Sequence, residues 1–117
     1  MSLFDEKELL DRVDHDVEFL TDTVRMLESD GRALLDEIGL AAATGDAPTL
    51  ARSAHALKGM ISNFCAPEAH ASAAEVEKIA REGRLAAAPA AAATLEAQLD
   101  ALLRALNDFL TTAALRP

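Results

Sequence analysis

His55, Lys58 and Gly59 are the residues of this chain whose types and spacing could do chemistry. They lie within Ala54-His55-Ala56-Leu57-Lys58-Gly59-Met60-Ile61-Ser62-Asn63-Phe64. Leu50, Ala54, Leu57, Ile61 and Phe64 recur at alternating spacings of four and three, the pattern of a helix that buries one stripe. At about 100° per residue His55 falls roughly 140° from the centre of that stripe and is predicted to face solvent. Its neighbours on the outward face, Ala51, Gly59 and Ser62, are all small, and Arg52 and Lys58 flank it at i−3 and i+3. A glycine inside a helix costs about 1 kcal/mol relative to alanine. On an outward face no packing against the chain's own core requires one. Gly59 is explained if another molecule must come close to His55. The competing reading is a plain surface histidine beside a solvated lysine and a tolerated glycine, and the pattern alone does not choose between them.

The chemistry that this arrangement suits is phosphoryl transfer. A neutral imidazole is a good nucleophile near pH 7. A cation at i+3 disfavours the imidazolium and offsets the charge of a phosphoryl group once it has arrived. Small residues at i−4, i+4 and i+7 leave room for a partner's active site, which can supply the metal and acid groups of an in-line displacement.

Other chemistries fit less well. Neither His15, His55 nor His70 has Glu or Asp three residues before it, and there is no His-x-x-x-His pair, so no metal site is expected. Cys65 and His70 could pair by spacing, but nothing in the sequence orients them. No glycine-rich phosphate loop is present. His15 sits among aspartates near a helix start, and His70 follows Pro67-Glu68 at the rim of another helix.

Six helices are predicted to position these residues. Asp5 suits the N-cap of a first helix over about 6–13, with Glu8 at the capping-box position and Phe4 placed to staple onto Leu9. Asp14 or Asp16 caps a second helix reaching about Ser29, with Val13, Val17, Leu20, Val24 and Leu27 as its stripe. Asp30-Gly31 is read as a kink or break before a third helix carrying Leu34, Leu35, Ile38 and Ala42. Gly45, Asp46 and Pro48 then mark a boundary, as C′ residue, N-cap and first-turn proline. The histidine helix runs from about Pro48 to Phe64 and stops at Cys65-Ala66-Pro67. A fifth helix covers 67–82, with Ala73, Val76 and Ala80 inward and Gly83 closing it. The sixth shows Leu95, Leu99, Leu102, Leu106, Phe109 and Ala113, with Pro89 near its start. No strand-like alternation occurs. The expected fold is all-α, an antiparallel up-down four-helix bundle with one or two additional N-terminal helices.

Composition sets bounds on partners. The 117 residues fit one domain, 1–117, with 1–3 and 115–117 expected to fray. A net charge of −9 argues against nucleic acid. Residues 1–48 hold 13 acidic and 4 basic side chains, which gives −9, whereas 49–117 hold 7 of each. The half with His55 is therefore neutral and locally basic, suited to a phosphate or an acidic partner. No apolar run approaches the roughly 20 residues of a membrane span, and no secretory leader is visible. One cysteine allows no intrachain disulfide and suits a reducing compartment.

The run His55-Ala56-Leu57-Lys58-Gly59, with Asn63-Phe64 and Ala66, resembles the signature of histidine phosphotransfer (HPt) domains. Leu9-Leu10 through Asp16, Gly45-Asp46, and Val76-Glu77 to Gly83 extend the resemblance over about residues 4–84. It implies a non-enzymatic relay in two-component signalling that passes phosphoryl groups to or from receiver-domain aspartates, or takes them from a histidine kinase. His55 is then the phosphoacceptor, Lys58 positions the phosphoryl group and Gly59 keeps the approach open. Ala51, Arg52, Ser62 and Asn63 form the docking face. No cofactor is implied for this chain, because magnesium belongs to the receiver. A cytoplasmic monomer is the corresponding expectation. One position departs: the family usually has glycine where Cys65 stands, and a glycine there would end the helix with positive φ. Cysteine in that conformation costs on the order of 1 kcal/mol, and a helix ending at Pro67 without it is the other option. The alternative function, from a different class, is a helical interaction module that never carries phosphate. A catalytic histidine enzyme would need a pocket and a second polar group near His55.

Overall fold

A computed structural model describes residues 3–114. It contains α1 (Glu6–Arg12), α2 (Val17–Thr44), α3 (Ala47–Ile61), α4 (Pro67–Arg81) and α5 (Ala88–Ala114), with short 3₁₀ turns at Ser62–Phe64 and Leu85–Ala87. Helices α2 to α5 form the four-helix bundle, in which α2 packs on α3 and α5, and α4 on the same two. One helix precedes the bundle.

The second and third expected helices are a single 28-residue helix, α2. Asp30-Gly31 does not break it. Gly31 is buried at the centre of the bundle, where an added Cβ would lie 3.5 Å from a Leu99 methyl and 3.6 Å from one of Leu57. Packing on both neighbours outweighs the helix penalty of about 1 kcal/mol, and Leu20, Val24, Leu27, Leu35, Ile38 and Ala42 are buried on the same side.

The caps follow the side chains available. Asp5, Asp16 and Asp46 each accept the backbone N–H three residues on. The capping box at Asp5 is only half formed. The Asp5 amide donates instead to the Cys65 carbonyl, 3.0 Å away, and Glu8 turns to Arg12. Phe4 meets Phe109 edge-on at 5.5 Å. Leu3, expected to fray, is half-buried against the core. Residues 1, 2 and 115–117 lie outside the described residues.

Besides Gly45 and Gly83, two tight turns place residues other than glycine at positive φ. Asp14 and His15 (φ 51 and 61) lie in the turn between α1 and α2. Cys65 takes the left-handed conformation (φ 55, ψ 44) that a glycine would take there. The α3 helix accordingly ends at Ile61 and the turn, and does not run on to Pro67. Burial of Phe64 and Ala66 on either side, and the Asp5 bond to the Cys65 carbonyl, hold that strained residue in place.

Candidate functional site

The site is built on α3 and α4. Asp46 caps α3, and the Thr49 side chain and amide hold its carboxyl below the usual carboxylate range. Leu50, Ala54, Leu57 and Ile61 are fully buried, which fixes the rotation of α3 and turns His55 outward. The His55 side chain is 63% exposed. Buried Ser53 donates to Glu37 on α2 at 2.9 Å and holds the adjoining turn.

Glu77 on α4 organises this face. It occupies an inward position of the stripe Ala73, Val76, Ala80 and is itself buried. Its Oε2 lies 3.0 Å from His55 Nδ1 and accepts Arg81 Nε at 3.0 Å and Nη2 at 2.7 Å. Its Oε1 lies 2.7 Å from Lys58 Nζ. The Lys58 ammonium, with Arg81 and His55 assisting, outweighs burial and holds the Glu77 carboxyl down to about 2. An ionised carboxylate can only accept, so His55 Nδ1 donates to it, and Nε2 is the ring nitrogen that Glu77 does not engage.

This geometry corrects one part of the sequence reading. Lys58 does not act on the ring as an isolated cation, because its charge is taken up by Glu77, and the charge touching the imidazole is negative. Glu77 was missed as a site residue, although a glutamate among Ala73, Val76 and Ala80 was a legible signal.

A Cβ at Gly59 would meet nothing within 4 Å, so the fold has no use for a glycine there. Ala51 is half-buried and Arg52 exposed. Ser62 and Asn63 lie beyond the helix end, where Ser62 Oγ donates to the Gly59 carbonyl at 2.6 Å and the Ser62 carbonyl accepts Arg12 of α1 at 3.1 Å. The other histidines stand elsewhere. His15 contacts Asp11 at 3.2 Å, and His70 lines a cleft of about 430 Å³ with Cys65, Asp5 and Glu8. Among the described residues no group of three or more His, Cys, Asp or Glu could hold a metal ion, and no helix is long and apolar enough to cross a membrane.

The family model described as Hpt domain matches residues 22–105. The chain belongs to the Hpt family. Its function is histidine phosphotransfer in a two-component phosphorelay. The HPt bundle is also seen in a crystal structure of histidine-containing phosphotransfer protein B from Pseudomonas aeruginosa PAO1. That structure is similar over 94% of this chain and 96% of its own, with a TM-score of 0.86 and 24% identity, a likeness that speaks for the fold. Among curated proteins, none matches at a significant level.

Proposed function

We propose that this HPt protein carries the phosphoryl group on Nε2 of His55, exchanging it with the aspartate of a receiver domain or taking it from a histidine kinase. The observation that carries this reading is the pairing of an exposed ring, held at Nδ1 by a buried carboxylate, with empty space at Gly59 one turn away.

In the transfer the Nε2 lone pair attacks the phosphorus of the donor's acyl phosphate. The N–P bond forms as the P–O bond to the aspartate breaks, and that bonding pair leaves on the carboxylate. The Nδ1 proton stays where it is, so the product ring carries positive charge, and Glu77 sits 3.0 Å from it to offset that charge. Lys58 and Arg81 bring two positive charges to one Glu77 carboxylate, leaving a local excess of one beside the incoming phosphoryl group. The half-buried Lys58 is placed to leave Oε1 for a phosphoryl oxygen.

On this reading the chain is a relay intermediate without kinase activity of its own. The magnesium ion and the acidic pocket come from the receiver, and this chain needs no cofactor. Ala51, Arg52, Ser62 and Asn63 border the surface that the receiver covers. A single domain, monomeric and cytoplasmic, completes the proposal.

The test is transfer from a phosphorylated receiver or an active histidine kinase, followed by mapping of the label. Acid-labile, alkali-stable label on His55, absent from His55→Gln, is the expected result. Label on His15 or His70 would move the acceptor. No label from several donors, with the chain folded and still binding a receiver, would favour an interaction module.

A further inference from the structure

The large exposed hydrophobic side chains among the described residues are Phe19, Met26 and Leu40, at 56, 58 and 67% exposure. All three lie on α2, and with exposed Ala33 they recur every seven residues. At 1.5 Å per residue they form a ridge about 31 Å long on the side of α2 that faces away from the core. Single exposed apolar residues are ordinary; three large ones on one face of a single helix mark a contact surface.

Charge decides what fits it. Asp22 and Asp36 border the ridge on one side, three residues on from Phe19 and Ala33. Asp30 borders it on the other, four residues on from Met26, while Glu37 beyond it turns to Ser53 of α3. Of the two α2 arginines, Arg32 is turned away to pair with Asp100 of α5. A second copy would set these acidic borders against their own counterparts, and an anionic membrane surface would be repelled in the same way. Complementary chemistry is an amphipathic helix whose apolar seam is edged by Lys or Arg.

We propose that the outer face of α2 is a second docking surface, which takes a basic amphipathic helix of a partner protein along the Phe19–Met26–Ala33–Leu40 ridge. His55 reaches toward Glu77 on α4, so a helix seated on α2 leaves the histidine free for another protein. The module is then held by one protein while a second exchanges phosphate with it.

The test is independent of phosphotransfer. The full chain, labelled with ¹⁵N, is titrated with a synthetic three-heptad peptide that has a leucine seam edged by lysines. A second peptide of the same composition, permuted so that no seam forms, serves as control. Expected are saturable shifts of amides between residues 19 and 40 with the seamed peptide only, and a Kd at least tenfold weaker in a Met26→Glu/Leu40→Glu variant of unchanged circular dichroism. Equal binding of both peptides, shifts centred on the His55 face, an unchanged Kd in the variant, or no saturable binding would each overturn the proposal. Sedimentation of the unliganded chain covers the remaining case, because a dimer that the variant dissolves would make the ridge a self-association surface.

Discussion

Two glycines set inside helices of this protein, Gly31 of α2 and Gly59 of α3, have opposite surroundings. Around Gly31, α2 crosses α3 and α5, and an added methyl group would come into contact with Leu27, Leu57 and Leu99. Around Gly59, α3 looks out over open space, and an added methyl group would touch nothing. The first glycine is accommodated by the chain's own packing. The second is unused by the fold, as is Gly39 of α2, and Gly59 differs from Gly39 in standing one turn from the exposed His55. The local cost, about 1 kcal/mol, is the same in both. Only what lies beyond the helix distinguishes them.

The sharpest way to break this comparison is Gly59→Gln. Filling the space beside His55 is expected to slow phosphotransfer about a hundredfold by displacing the partner's reacting group, with the thermal unfolding midpoint unchanged or slightly raised. Transfer at the parental rate would remove the access argument. Gly31→Gln should do the reverse. Forcing a larger polar side chain between Leu57 and Leu99 costs about 1–3 kcal/mol in denaturant unfolding, while the folded fraction transfers phosphate normally.

Glu77 sharpens the contrast from the polar side. Its carboxyl is held at about 2 when folded, against 4.5 for the unperturbed group. A depressed carboxyl stabilises the fold above the unfolded value, and that contribution fades as pH falls from about 4.5 toward 2. Urea unfolding of Glu77→Gln should lose part of this acid limb. The same variant should transfer phosphate more slowly at neutral pH, by about tenfold, since the charge opposite Nδ1 is gone. An unchanged acid limb and an unchanged rate would remove Glu77 from the site. The smallest effects come from alanine. Gly59→Ala should raise stability by up to about 1 kcal/mol, since the added methyl group has room. Gly31→Ala should gain a similar amount, its methyl group meeting Leu27, Leu99 and Leu57 in ordinary contact at 3.4, 3.5 and 3.6 Å.

Much of the fold was legible because it rests on local rules. The stripe Leu50-Ala54-Leu57-Ile61 set the rotation of α3 and with it the outward direction of His55. Asp5, Asp16, Asp46, Gly45 and Gly83 marked ends that side chains or positive φ do provide. The break at Asp30-Gly31 was misread because glycine's propensity is a local quantity, whereas its burial against Leu57 and Leu99 is set by residues 26 and 68 positions away. The left-handed Cys65 was foreseen only as one of two options, since the Asp5 bond that steadies it comes from 60 residues earlier.

The sequence by itself determined that the chain is helical, where most helices start and stop, and that one histidine stands outward among small residues. Those properties follow from periodicity, caps and side-chain size, which act within a few residues. The tertiary structure alone decided which groups meet that histidine. Glu77 lies 22 residues from His55 and 19 from Lys58, and only the packing of α3 on α4 brings its carboxylate to Nδ1, to Lys58 and, beside them, to Arg81. A charge on one helix reaches a ring on another through the rotation and spacing of two packed cylinders, and no local rule along the chain specifies that distance.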